Sequence, residues 1–334
     1  MMAGGLDLAA ILSRAGLMQH ARGRGAIFTL HHVRPKQSQP LEPSAHLEVT
    51  PEFLAEAIEC LAAEGYDFIP LADVPARLAS PTSKPFAAFT LDDGYRNNAE
   101  YALPVFERYH VPFTVFVTRG FAERSHSLWW ETLAVLLGRE NKVTFDFGYG
   151  AETLDLSTVS RKFDAFERFA DFVSDNDEAT AIAKVDALAL SHGVDPLKIT
   201  AELTMTPEEL KTLSAHPLAS LGAHTTSHRA ISRLSPAEAQ AEMRESADYV
   251  EQLTGKRPVT IAYPYGTRQA VSEREYQIAR DLDFSVAVTT QPGTICEKSM
   301  SRLTGLPRIS LNGFYQHARY VSALASGIPF TVAK

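Results

Sequence analysis

The sequence predicts an α/β fold in which a parallel sheet closes into a distorted (β/α) barrel of fewer than eight strands. Three observations carry that expectation. Compact apolar runs of strand length recur, at 26–30, 86–89 and 111–117 among others. Helical patterns with their own start and stop signals separate them by short links, the rhythm of βαβ units. Several runs end in His or Asp, and in α/β proteins chemistry gathers at the C-terminal ends of strands.

The elements follow in order. Residues 1–25 read as a short amphipathic helix packed on the body, with Leu6, Leu8, Ile11, Leu12, Leu17 and Met18 accompanied by Arg14, His20, Arg22 and Arg24. The basic residues follow the apolar ones, and Asp7 and Arg14 interrupt these, so the stretch does not read as a secretory signal. The expected location is cytoplasmic, with a membrane-surface helix as the minority reading. The run 26–30 is the first strand and ends at His31 and His32; His31 is read as a core or surface residue. Thr50 and Pro51 start a helix that Gly65 ends. Residues 68–70 are extended, and 71–78 form a further helix. The strand 86–89 ends in Asp92, Asp93 and Gly94. A helix at 98–109 tolerates Pro104 near its first turns, and the strand 111–117 completes a βαβ unit.

From 118 to about 203 the rhythm breaks, with Trp129 and Trp130, a hairpin at 143–149 and helices near 163–173 and 179–190. We read one domain over 1–334, with a core at about 26–120 and 204–312 and a helical insertion at about 121–203. The two tryptophans are either a sugar-stacking wall or insertion core. Beyond it come helices at 206–215, 235–253 and 272–282, strands at 218–222, 259–263 and 284–288, and an extended piece at 306–309.

Composition sets outer bounds. The chain has 334 residues, 45% hydrophobic and 22% charged, and a net charge of −8. That balance suits a globular chain and argues against a nucleic-acid partner. Two cysteines, Cys60 and Cys296, are too few for a disulfide framework or a thiolate metal site. No apolar run approaches the roughly 20 residues of a membrane span.

The chemistry lies in two places. Adjacent Asp92 and Asp93 repel, and a cation beside them relieves the repulsion. His224 and His228, four apart after a strand, can converge on one ion. Two imidazoles and a carboxylate make an open, catalytic zinc-type site, with nickel or cobalt as alternatives.

These residues carry a resemblance. Thr90-Leu91-Asp92-Asp93-Gly94 is similar to the TFDDG motif of the polysaccharide deacetylases, carbohydrate esterase family 4, which share the NodB-homology fold. His224-Thr225-Thr226-Ser227-His228 resembles the family's HTxxH motif, and Pro264-Tyr265-Gly266 the end of its RPPYG motif. The resemblance spans roughly 86–310 and implies a (β/α)7-type barrel. It implies that Asp93, His224 and His228 hold a divalent metal, that Asp92 is the general base, and that the Tyr265 N–H stabilises the oxyanion. The chain departs from the family in two respects. Ala262 stands where the family has arginine, and His317 is the only histidine after His228. In the rearranged branch that deacetylates poly-N-acetylglucosamine, the acid histidine lies in an early element resembling Leu30-His31-His32-Val33. His32 is then the expected acid, and Arg308 the expected partner that orients Asp92. The implied function is removal of N-acetyl groups from N-acetylhexosamine residues of an oligo- or polysaccharide or a glycolipid. The implied partner is an N-acetylated carbohydrate. The alternatives are a non-catalytic carbohydrate-binding protein on this fold, or a metal-dependent hydrolase of another amide, such as a formyl-sugar or cyclic ureide.

Overall fold

A computed structural model describes residues 6, 7, 9, 11, 12, 18–37, 40–80 and 84–332. Strands β1 (Gly25–Leu30), β5 (Phe86–Leu91), β6 (Phe113–Val117), β9 (Ala219–Ala223), β10 (Thr260–Ala262), β11 (Val286–Pro292) and β12 (Leu306–Ser310) pair in parallel. β1 pairs with both β12 and β5, which closes a seven-stranded ring. β4 (Asp67–Phe68) adds to the start of β5 on its β6 side. Two short pairs lie outside the ring, β2 (His32–Val33) with β3 (Glu48–Val49) and the hairpin β7 (Lys142–Asp146) with β8 (Ala151–Asp155).

β1, β5 and β6 are buried at every position, as strands covered on both faces require. Alternation along them divides the core. Phe28, Phe89 and Val115 join the cluster that includes Leu54 and Ile58 of α1 (Pro51–Ala63), while Ile27, Ala88 and Phe116 join Ala262, Val286 and Val288.

The helices start where local chemistry places them. Thr50 caps α1 by accepting from the Phe53 N–H at 3.1 Å. α2 (Val74–Ala79) precedes β5. In 98–109 the structure departs from the single expected helix: a wide π-turn, Asn98–Ala102, leads into α3 (Leu103–Tyr109). Pro104 has no N–H to give to the helical ladder, and the Leu103 N–H before it bonds back five residues, to the Asn98 carbonyl.

Between β6 and β9 lie α4 (Arg119–Ala122), α5 (Trp129–Arg139), the hairpin, α6 (Val159–Asp175), α7 (Glu178–Ser191), α8 (Pro196–Leu203) and α9 (Pro207–Ser214). Leu133, Leu137, Phe145, Phe169 and Val185 of this segment form a hydrophobic cluster of their own. α10 (Pro236–Thr254) opens on a Ser235–Glu238 capping box and closes on Gly255 at φ +73°. α11 (Glu273–Asp281) joins β10 to β11, and α12 (Ala318–Ala325) and α13 (Ile328–Val332) end the described chain. The two terminal helices have no counterpart in the sequence expectations. At the other end, Leu6, Asp7, Ala9, Ile11 and Leu12 are helical, and Ala9 packs with Ala21, Ala323 and Ile328. Leu8, Arg14 and Leu17 of the expected N-terminal helix lie outside the described residues. Among the described residues no helix is long and apolar enough to cross a membrane.

Candidate active site and metal centre

β5 delivers two carboxylates to one place. Asp92 N–H donates to the Leu30 carbonyl at 3.0 Å and continues the β1–β5 ladder by one residue. The chain then turns sharply, with Asp93 at φ +70° and Gly94 at φ +68°. This curl lets neighbouring residues, which would face opposite sides of a flat strand, share one mouth. A left-handed aspartate is strained by about 1 kcal/mol or more. Thr225, His228 and Tyr265 also have positive φ. Four of the eight described non-glycine residues at positive φ therefore lie around a single centre.

β9 supplies the imidazoles. His224 leaves the strand with its N–H on the Val117 carbonyl at 3.1 Å. Its Nδ1–H donates to the Ala262 carbonyl at 2.7 Å, which leaves the Nε2 lone pair free. That Nε2 lies 3.4 Å, and His228 Nε2 3.2 Å, from the same oxygen, Asp93 Oδ1. The three ligand atoms lie within 4.8 Å of one another and all three residues are buried. Asp93 Oδ1 has no hydrogen-bond partner. A buried, unsatisfied carboxylate oxygen facing two imidazole nitrogens is what a divalent ion would relieve, and the N₂O donor set suits zinc. Burial works against the charge on Asp93; the imidazoles of His228 and His224 outweigh it and hold the carboxyl well below its usual range. For His224, burial favours the neutral ring, but Asp93 and Asp92 reverse that and leave its pKa raised.

The loop from His224 to His228 is fastened from α10. One Glu242 oxygen accepts from the N–H groups of Thr226 at 2.8 Å and Ser227 at 2.9 Å, and the other accepts from the Ser227 hydroxyl at 2.5 Å.

Asp92 meets a different partner. Arg308, on β12 and 0% exposed, grips it through two parallel bonds, Nη1 to Oδ1 at 2.7 Å and Nη2 to Oδ2 at 2.6 Å. Arg308 is itself fixed by the Thr90 hydroxyl at 3.0 Å and the Thr289 carbonyl at 2.9 Å. Burial would raise the Asp92 pKa, and Arg308 overrides it, so the carboxyl stays ionised below its ordinary value.

The two early histidines face different carboxylates. His31 Nε2 is 3.9 Å from Asp92 Oδ2, and its side chain is 16% exposed. His32 is 1% exposed, and the carboxylate beside it is that of Glu131. Asn97 Oδ1 accepts from the Val33 N–H, which orients the amide so that its Nδ2–H donates to His32 Nδ1 at 2.7 Å. His32 Nε2 points to Glu131 at 3.4 Å, and Tyr95 covers the ring at 3.6 Å between centroids. Strand register explains the difference. Leu30 pairs with Leu91, so the next residue, His31, stands opposite Asp92.

The tryptophans pack beside the site. Trp130 donates to Tyr95 and lies 5.1 Å from the His228 ring. Buried Trp129 donates to the Tyr265 hydroxyl at 3.2 Å. Tyr265, after β10, sets its ring edge-on to His228 at 5.2 Å. A cavity of about 350 Å³ opens beside Tyr265 and Trp129, lined also by Ala170, Val173 and Ala270. Sequence reasoning missed Asn97, Glu131, Glu178 and Glu242. Glu242 falls seven residues into a helix with a strong capping signal, where charge reads as solvated face.

Comparison with known proteins bears on the family and the fold. A family model described as polysaccharide deacetylase matches residues 79–287. YxkH of Bacillus subtilis strain 168, itself assigned to the polysaccharide deacetylases, is 28% identical over 89 residues; the match spans 27% of this chain and 30% of that protein. Among solved structures, the Streptococcus pyogenes deacetylase PplD in complex with acetate superposes with a TM-score of 0.56 at 19% identity, covering 86% of this chain and 92% of that one. IcaB from Ammonifex degensii gives a TM-score of 0.56 at 16% identity, over 91% and 98%. At these identities the structures speak for the fold.

Proposed function

Because the chain belongs to the polysaccharide deacetylase family, we propose that it is a metal-dependent N-deacetylase of N-acetylhexosamine residues, of the N-acetylglucosamine type, in an oligo- or polysaccharide or a glycolipid. The observation that supports this most is the buried cluster of Asp93, His224 and His228 with a second, arginine-bound carboxylate beside it. In this reading Asp93, His224 and His228 hold the ion, with zinc favoured over nickel or cobalt. The ion, when bound, supplies Lewis acidity that polarises the amide carbonyl and makes water a better nucleophile at neutral pH.

The remaining work falls to side chains. Asp92, kept ionised and aimed by Arg308, takes the proton of the attacking water. The Tyr265 N–H donates to the oxygen on which charge develops. The leaving amine needs a proton, and we assign that to His31 instead of His32, because His31 stands beside Asp92 and is partly open. Burial lowers the pKa of His31, more than the neighbouring carboxylates raise it.

The test is acetate release from chitooligosaccharides, poly-N-acetylglucosamine and peptidoglycan fragments, with and without a chelator. Release that stops with the chelator and returns with zinc is the expected result. Sugar binding with no acetate from any of the three would overturn the reading in favour of a binding protein.

A further inference from the structure

Glu178 opens α7, in the segment between β6 and β9, yet its carboxylate is spent on the barrel. It is 6% exposed. Oε1 accepts from the Tyr265 hydroxyl at 2.7 Å and Oε2 accepts from the Ala230 N–H at 2.8 Å. Ala230 lies two residues beyond His228, and Tyr265 follows β10. Trp129, from the same segment, donates to the same tyrosine oxygen at 3.2 Å. Burying a carboxylate is costly, and two hydrogen bonds from neutral donors offset only part of that cost. What the arrangement secures is the conformation of Tyr265. That residue sits at φ +59°, a left-handed backbone that a tyrosine does not adopt by preference. Its carbonyl accepts from the Thr290 hydroxyl at 2.5 Å, and its ring end is held by Glu178 and Trp129. With both ends tied, the direction of the Tyr265 N–H is fixed.

We propose that Glu178 is a positioning residue: through the Tyr265 hydroxyl it aims the Tyr265 N–H, and so makes the helical segment between β6 and β9 part of the catalytic apparatus. The proposal rests on the reading of that N–H as the oxyanion donor. Glu178 touches no reacting atom itself.

The test uses the zinc-loaded full chain and three variants. Tyr265→Phe removes the hydroxyl that Glu178 holds and keeps the backbone donor. Glu178→Ala removes the acceptor. Glu178→Gln keeps an acceptor for Ala230 and a hydrogen bond to the tyrosine oxygen. Tyr265→Phe and Glu178→Ala should each lower kcat on a chitooligosaccharide by on the order of tenfold, less than the 10²–10³ of losing an oxyanion donor outright. KM should stay within about threefold. Glu178→Gln should recover most of the rate, and the double variant should be no worse than Glu178→Ala alone. Independently of turnover, the residue-265 amide resonance should shift or broaden in Glu178→Ala, followed in ¹⁵N-tyrosine-labelled protein, and should broaden in Tyr265→Phe, followed in uniformly ¹⁵N-labelled protein. If Glu178→Ala fails to fold, Tyr265→Phe carries the test alone. A lowered unfolding temperature with unchanged kcat and an undisturbed Tyr265 amide overturns the proposal. A wild type that releases no acetate, while that amide still responds to Glu178→Ala, overturns the deacetylase reading and leaves the positioning in place.

Discussion

At the scale of single residues, the site turns on two carboxylates one position apart that are given opposite environments. Asp93 faces imidazoles, whereas Asp92 faces a guanidinium. Asp92→Asn removes the base and leaves all three metal ligands, so turnover should fall below detection while zinc still binds, as titration calorimetry would show. Arg308→Gln leaves Asp92 buried without its counter-charge, and a broken buried pair costs about 3–5 kcal/mol of stability. Arg308→Lys should recover only part of that in denaturant melts, because an ammonium cannot reproduce the two parallel bonds. The early histidines give a sharper contrast. His31→Asn should slow amide hydrolysis far more than hydrolysis of an activated acetate ester, whose leaving group needs no proton. His32→Asn should treat both substrates alike, acting through the packing of Tyr95. Equal losses on both substrates for His31→Asn would return the acid role to another group. In the proposed function this role falls to His31, one position before the His32 expected from the sequence. Both histidines follow an apolar run, and only the register of β1 on β5 shows which of them faces Asp92.

At the scale of elements, the parts that could be read early were those with local causes. Thr50-Pro51, the Thr206 and Ser235 capping boxes and the apolar runs of β1, β5 and β6 are each written in a few consecutive residues. Asp92-Asp93-Gly94 and His224–His228 were legible for the same reason, since each motif is short and follows a strand. The Arg308–Asp92 pair was expected, through the family resemblance; what could not be read joins elements far apart, Glu178 to Tyr265 and Glu242 to the loop it fastens. A glutamate on an amphipathic helix carries no local mark of the loop it will meet. The Glu242 contact has a pH signature. Burial raises its pKa, but Ser227, Thr226 and Arg229 outweigh burial and leave it lowered. A carboxylate with a depressed folded pKa contributes stability above its unfolded value of about 4.3, and that stability is lost as pH falls through the folded value. Glu242→Gln should therefore flatten the acid limb of the stability–pH curve. It should also weaken zinc binding, by roughly 10–100-fold if this support behaves as outer-shell partners of metal ligands do.

At the scale of the whole molecule, the proposed ion would tie the tip of β5 to the tip of β9, two strands that are not neighbours because β6 lies between them. Binding to the folded chain alone stabilises it by mass action, by about 2.7 kcal/mol at a hundredfold excess over Kd. For a chain of this size, that corresponds to a rise in Tm of about 4 °C. The rise should depend on pH with a definite sign. Without the ion, His224 has a raised pKa, so its attraction to Asp93 is fully present below the unfolded value of about 6.5 and is lost as pH rises through the folded one. With the ion, the imidazoles must be neutral, so binding strengthens over that same interval. The two effects run in opposite directions. The difference in Tm between zinc-loaded and chelator-treated protein should therefore widen steadily from about pH 5.5 to about pH 8. His224→Ala should abolish the difference at every pH, because it removes both the ligand and the titrating partner. If that variant keeps the full zinc-induced rise, the ion binds elsewhere and the Asp93–His224–His228 cluster is not its seat.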